Sequence, residues 1–182
     1  MAMCVKILTQ DGQLVLIAGY ESGHCCLWRY DQNSSKWALL SIIKSHAQPI
    51  LSLDVAKGLR RYYTSAADAT VACYSLSDLT ASQPIKTAQT KHSGQQSLHV
   101  RSDDKILATA GWDGCQGCYA LAFADLTSRD IDTAADESTT SDQKQASTTL
   151  QTVGQRRETK AQTTHWIAAG SKDGKVSLWD IY

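Results

Sequence analysis

One motif recurs four times along the 182 residues of this chain, and no other feature restricts the possible folds as much. An apolar strand runs into a turn with acidic or glycine character, and a second strand follows that ends in an aromatic. The copies are Leu14–Tyr30, Arg61–Leu76, Ile106–Tyr119 and Trp166–Tyr182. Aligned on the turn, Ser22, Asp68, Asp113 and Asp173 share one position, and six residues later stand Trp28, Tyr74, Tyr119 and Trp179. Successive turns are 46, 45 and 60 residues apart. Asp-Gly at 113–114 and 173–174 suits tight hairpins, where a positive φ favours glycine.

Further runs with period-2 alternation lie between the turns. Cys4–Leu8 and Ile50–Val55 read as first strands of a unit, and Trp37–Ile43 as an outer strand. Ser97–Arg101 and Ile85–Lys91 fill the same two roles one repeat on. Strands are also expected at Leu14–Ala18, His24–Tyr30, Arg61–Ala66, Thr70–Ser75, Ile106–Gly111, His165–Ala169 and Val176–Asp180. Four short antiparallel strands per unit is the layout of a propeller blade. Trp37 and Trp166 fall inside strands and read as core. Trp112 falls in a turn and reads either as an exposed contact or as a ring packed over its own blade.

A period of about 40–45 residues with these turns resembles the WD40 family. The resemblance implies an all-β propeller whose blades carry a hydrogen-bonded set: a His, a Ser or Thr, the turn Asp and a Trp. In the second repeat the set maps onto His46, Thr64 and Asp68, with Tyr74 replacing Trp. In the third it maps onto His92, Thr109 and Asp113, with Tyr119 at the aromatic position. The fourth keeps Asp173 and Trp179 but has Ala169 for the hydroxyl, and the first has Ser22 and Ala18. A buried imidazole must satisfy both ring nitrogens, which a carboxylate and a hydroxyl can do. The competing reading of His46, Thr64 and Asp68 is a catalytic set. Its return one repeat later argues for a structural role, and no nucleophile elbow, phosphate-cradling loop or paired-carboxylate motif stands elsewhere.

The third interval is too long and yet incomplete. Residues Thr127–Thr164 hold no aromatic and are rich in Thr, Ser, Gln and Asp, so they read as a disordered insertion. Without them the interval shrinks to about half a blade. Cys115–Tyr119 reads as the third strand of one blade, and Tyr119–Phe123 equally well as the first strand of the next. One segment cannot fill both places. The expected organisation is WD40 blades over 1–126, the insertion over 127–164, and strands of a last blade over 165–182. Three to four blades in an open arc are expected, an incomplete ring that exposes its end blades.

Composition narrows the chemistry. Lys+Arg and Asp+Glu balance at 18 each, without the basic excess of a direct nucleic-acid binder. No apolar run reaches the roughly 18 residues of a membrane-spanning helix. The six cysteines read as reduced thiols. Cys115-x-x-Cys118 lacks the second ligand pair that a zinc site needs, so neither a metal nor a cofactor is expected.

A narrower resemblance rests on Lys91–Leu98 (KHSGQQSL), Ala108–Gly114 (ATAGWDG), Leu16–Gly23 (LIAGYESG) and Gly170–Trp179 (GSKDGKVSLW). Together these resemble the C-terminal half of the fungal ASTRA-associated protein family, which is related to the G-protein β-subunit-like proteins. That resemblance implies a non-catalytic scaffold in the nucleus. It would sit among the protein subunits of the ASTRA assembly, which is linked to chromatin remodelling and includes a large phosphatidylinositol-kinase-like protein. The alternatives are a cytoplasmic WD40 adaptor or substrate receptor for peptide motifs, and an enzyme built on a propeller.

Overall fold

The computed structural model describes residues 1–112, 117–124, 153–154, 156–157 and 164–181. Most of 127–164 and the turn residue Asp113 therefore lie outside the described residues. The first blade is an antiparallel sheet of β1 (Ala2–Gln10), β2 (Gln13–Tyr20), β3 (His24–Asp31) and β4 (Lys36–Lys44) in that order. The second repeats it with β5 (Ile50–Ala56), β6 (Arg61–Ala66), β7 (Thr70–Ser75) and β8 (Lys86–Gln89). The third holds β9 (Gln95–Val100) and β10 (Leu107–Gly111), and the fourth β11 (Cys118–Phe123), β12 (His165–Ser171) and β13 (Val176–Ile181). Each expected strand is present, with its ends moved by a few residues at most.

Alternation along the strands decides what each blade buries. Ile17 and Leu27 stand opposite one another on β2 and β3 and face blade 2. They meet Ile50, Leu53, Tyr62 and Tyr74 there, in one apolar cluster between the two sheets. Tyr62 and Tyr74 stack with ring centroids 4.5 Å apart and planes at 7°. Each fully buried side chain of this size contributes about 1.5–3 kcal/mol. The opposite face of blade 1 carries Val5 and Ile7 on β1 and Leu39 and Ile42 on β4, all exposed.

Trp37 is a correction to the sequence reading. It lies on the outer strand of blade 1 and is 42% exposed, with its ring against Tyr30 at 5.4 Å between centroids. Being in a strand does not bury a residue when that strand is the rim of its sheet. Trp166, on β12, is half-buried.

The ambiguous junction is settled by pairing. Leu121 and Phe123 register with Ala169 and Ile167 on β12, so Cys118–Phe123 is the first strand of blade 4. Tyr119 accordingly opens that strand, 41% exposed, and does not end a third strand of blade 3. The apolar row shared with β12 outweighs the alternative pairing with β10. Blade 3 is left with two strands among the described residues.

Candidate functional site

The first strands β1, β5, β9 and β11 lie side by side at the centre of the fan, and side chains rather than a backbone ladder join them. Asp54 on β5 accepts a hydrogen bond from Lys6 Nζ on β1 at 2.7 Å and another from the Val100 amide on β9 at 2.9 Å. The His99 ring stands 3.6 Å away. The Ser52 hydroxyl accepts from the Leu98 amide at 3.1 Å, and Ser97 from the Leu121 amide at 3.2 Å. Burial pushes the Asp54 carboxyl upward, but His99, Lys6 and the Val100 and Val55 amides outweigh it and hold it well below the usual carboxylate range. Asp54 therefore stays ionised while nearly buried.

These strands end at a cleft of about 650 Å³ whose lining includes Lys6, Asp54, Lys57, His99, Arg101 and Phe123. Arg101, itself buried, grips Asp103 with two parallel bonds of 2.8 and 2.7 Å. The Gly58 amide is bonded to Asp104 at 2.5 Å, which fastens the turn of blade 2 to that of blade 3. Lys6, Asp54 and Asp104 join neighbouring blades, while Arg101 and Asp103 pair within blade 3. The lining mixes these charges with the apolar Val55, Val100 and Phe123.

At the other end of β5 the His46 ring is buried. Asp68 is acceptor-only, so Nδ1–H donates to its Oδ1 at 3.2 Å, and Nε2 accepts from the Thr64 hydroxyl at 2.7 Å. The Thr64 and Tyr74 hydroxyls are 3.4 Å apart, and Tyr74 also bonds Ser45. Asp68 receives the Ala47 amide at 2.8 Å and the Thr70 amide at 3.1 Å. Burial lowers the His46 pKa, with Asp68 opposing, so the ring is neutral near pH 7. For Asp68 the same burial acts upward, and the Ala47 amide and His46 overcome it to keep the carboxyl below its ordinary value. The set closes the loop before β5 onto the β6–β7 turn.

The third repeat's set is described only in part. His92 is exposed, and its carbonyl accepts from Gln95 Nε2 at 2.7 Å. Thr109 is half-buried on β10, Tyr119 belongs to blade 4, and Asp113 lies outside the described residues. Gln95 is buried at the start of β9, and its backbone carbonyl receives the Ser65 hydroxyl at 3.0 Å. In the fourth repeat Asp173 is an exposed turn residue bonded to Ser171 and paired with Lys175 at 2.9 Å. Lys175 first and Ser171 second hold its carboxyl below the ordinary range. Trp179 is 61% exposed. Trp112 packs on Gly94 in its own blade, donates its indole N–H to Gln96 at 3.0 Å, and is 44% exposed.

Sequence reasoning missed Asp54, Ser52 and Arg101. A lone acid inside ILSLDVA was the available signal, because a carboxylate in an apolar strand needs partners. Among the described residues no three His, Cys, Asp or Glu side chains come together as a metal site, and Cys115 lies outside them. Burial pushes the Cys4 and Cys25 thiols up to about 11 and about 12.

The family model for the WD domain, G-beta repeat, matches residues 161–180. The chain is similar to ASTRA-associated protein 1 of Penicillium rubens, 35% identical over 243 residues, covering all of this chain and 55% of the relative. ASTRA-associated protein 1 of Schizosaccharomyces pombe is 31% identical over 195 residues, covering 96% of this chain and 46% of its own length. Guanine nucleotide-binding protein subunit beta-like protein 1 of the mouse is 28% identical, with coverage of 100% and 49%. The chain thus spans about half the length of the curated relatives it matches. Among solved structures, the computationally designed Ika8 protein superposes with a TM-score of 0.60 at 16% identity, over 96% of this chain and 45% of that one. That likeness concerns the fold alone.

Proposed function

Because this is a WD40-repeat chain similar along its whole length to half of the fungal ASTRA-associated proteins, we propose that it is a non-catalytic interaction scaffold and a subunit of the ASTRA assembly. Its place is then the nucleus, in a complex tied to chromatin remodelling. Its partners are other protein subunits, a large phosphatidylinositol-kinase-like protein among them. The observation that carries the reading is a similarity of 35% identity that covers all of this chain. The geometry agrees with it. The one His–Thr–Asp set among the described residues, His46–Thr64–Asp68, is committed to holding a loop on a turn.

The experiment is to tag the chain at its own locus, image it, and identify crosslinked partners from native extract. Nuclear signal with crosslinks to ASTRA subunits supports the proposal. Cytoplasmic signal with crosslinks to peptide-bearing clients and none to ASTRA subunits would move the chain to the adaptor reading.

A further inference from the structure

Blade 3 is half as wide as blades 1 and 2. Among the described residues it holds β9 and β10, while the next strand, β11, pairs with β12 in blade 4. Among the described residues, one edge of β10 therefore has no backbone partner. In an antiparallel ladder, residues that exchange both hydrogen bonds with the neighbour alternate with residues that exchange none. The Arg101 amide donates to the Ile106 carbonyl at 2.9 Å, and the Trp112 amide to the Gly94 carbonyl at 3.1 Å. The even-numbered residues thus face β9. Leu107 and Thr109 turn their N–H and C=O groups to the open side, and neither residue is fully buried.

The sister blades show what belongs there. In blade 2 the same place is filled by β7, which pairs Thr64 with Ala72 and Tyr62 with Tyr74. Trp179 in blade 4 stands where Tyr74 stands in blade 2, in a row with Ile167 and Phe123. Tyr74 is 1% exposed, and Trp179 is 61% exposed. The difference has a cause on the neighbouring blade. Tyr74 is covered by Cys25 and Leu27, which blade 1 presents from its third strand. Blade 3 has no third strand among the described residues to cover Trp179. Among the described residues, an unpaired backbone edge and an exposed indole therefore flank the same gap, one strand wide.

We infer that this gap is a strand-addition site that takes an extended segment of a partner protein. The segment pairs antiparallel with β10 through the backbone of Leu107 and Thr109. It lays an apolar side chain on Trp179 and follows the apolar alternation of Cys25 and Leu27. Main-chain bonds supply the affinity in such binding, and alternate side chains supply the choice of partner. The inference deepens the scaffold reading and rests on it, but it does not depend on which assembly supplies the segment.

The test uses the full chain and a synthetic peptide copying Asp68–Leu76, the third strand of blade 2, with serine at position 73. Residue-resolved amide exchange is followed with and without peptide. Exchange at Leu107 and Thr109 should slow about tenfold or more at saturation, while Ala108 and Ala110, already bonded to β9, change little. The indole emission of the chain should shift to the blue, and Trp179→Phe should abolish that shift. Thr109→Pro, which removes one outward N–H, should weaken the peptide about tenfold. If that variant fails to fold, the exchange data on the unaltered chain decide. Slow exchange at Leu107 and Thr109 in the chain alone at every concentration would mean that the chain fills its own gap. Slowing that tracks protein concentration would mean that a second copy fills it. Either result, or indifference to the peptide, overturns the inference without touching the ASTRA assignment.

Discussion

The Asp54 carboxylate and the Lys6 ammonium meet at 2.7 Å across the space between two sheets, with the acid side chain 9% exposed and the base 45% exposed. Their contributions to stability are unequal. Asp54→Ala also leaves the half-buried Val100 amide without its acceptor, and should cost about 1–3 kcal/mol. Lys6→Ala removes a solvent-screened partner and should cost at most about 1 kcal/mol. Urea midpoints of the two variants, measured side by side, check the ranking. Equal losses would contradict it.

The His46 set makes a second, separate demand. Thr64→Val keeps the shape of a buried side chain but removes the hydroxyl that Nε2 needs, and should destabilise by about 1–3 kcal/mol. Asp68→Ala should lie in the same range. Lys36→Ala, at the exposed rim, should stay within about 0.5 kcal/mol. Thermal melts that place all three variants together would remove the structural role from His46.

Acid should weaken the fold in two stages. Burial holds the folded His46 pKa below the value of about 6.5 in an unfolded chain, so the unfolded state binds the extra proton first. Stability is then full above about pH 6.5 and declines as the pH falls toward the folded value. Asp54 and Asp68 have depressed folded values, so their share persists until about pH 4 and is lost below it. A denaturation series from pH 8 to 3 should show both slopes, and His46→Asn should flatten the upper one alone.

Gly94 tolerates no side chain. Its φ is +70°, and a Cβ there would come within 2.2 Å of the Trp112 ring. Gly94→Ala should cost about 1–3 kcal/mol, from backbone strain together with the clash. In the double variant with Trp112→Ala the clash portion should disappear. A double-mutant cycle showing no coupling would mean that the indole does not rest on Gly94.

Much of the fold was legible in the sequence because its signal is local and repeated. Alternation and turn chemistry marked the strands, and the resemblance to the WD40 family pointed to His46, Thr64 and Asp68. The Asp11-Gly12 hairpin, with φ of +49° and +76°, could have been found from the dipeptide alone. What the sequence hid depends on neighbours. Trp37 looks like core until its strand proves to be a rim. Tyr119 fits two strands equally until β12 supplies a partner row. His92 has the right spacing but is exposed.

The four sheets share no strand ladder, and that bears on how the chain comes apart. Coupling between blades runs through the apolar cluster between the first two and through polar side chains such as Asp54, Ser52 and Ser97, so it acts between nearest neighbours. A linear array of this kind does not melt as one unit. Loss should begin at the narrow third blade and leave the first two blades as a surviving block, so that calorimetric and van't Hoff enthalpies diverge. The midpoint of the chain is then its weakest link under heat and under mechanical load alike.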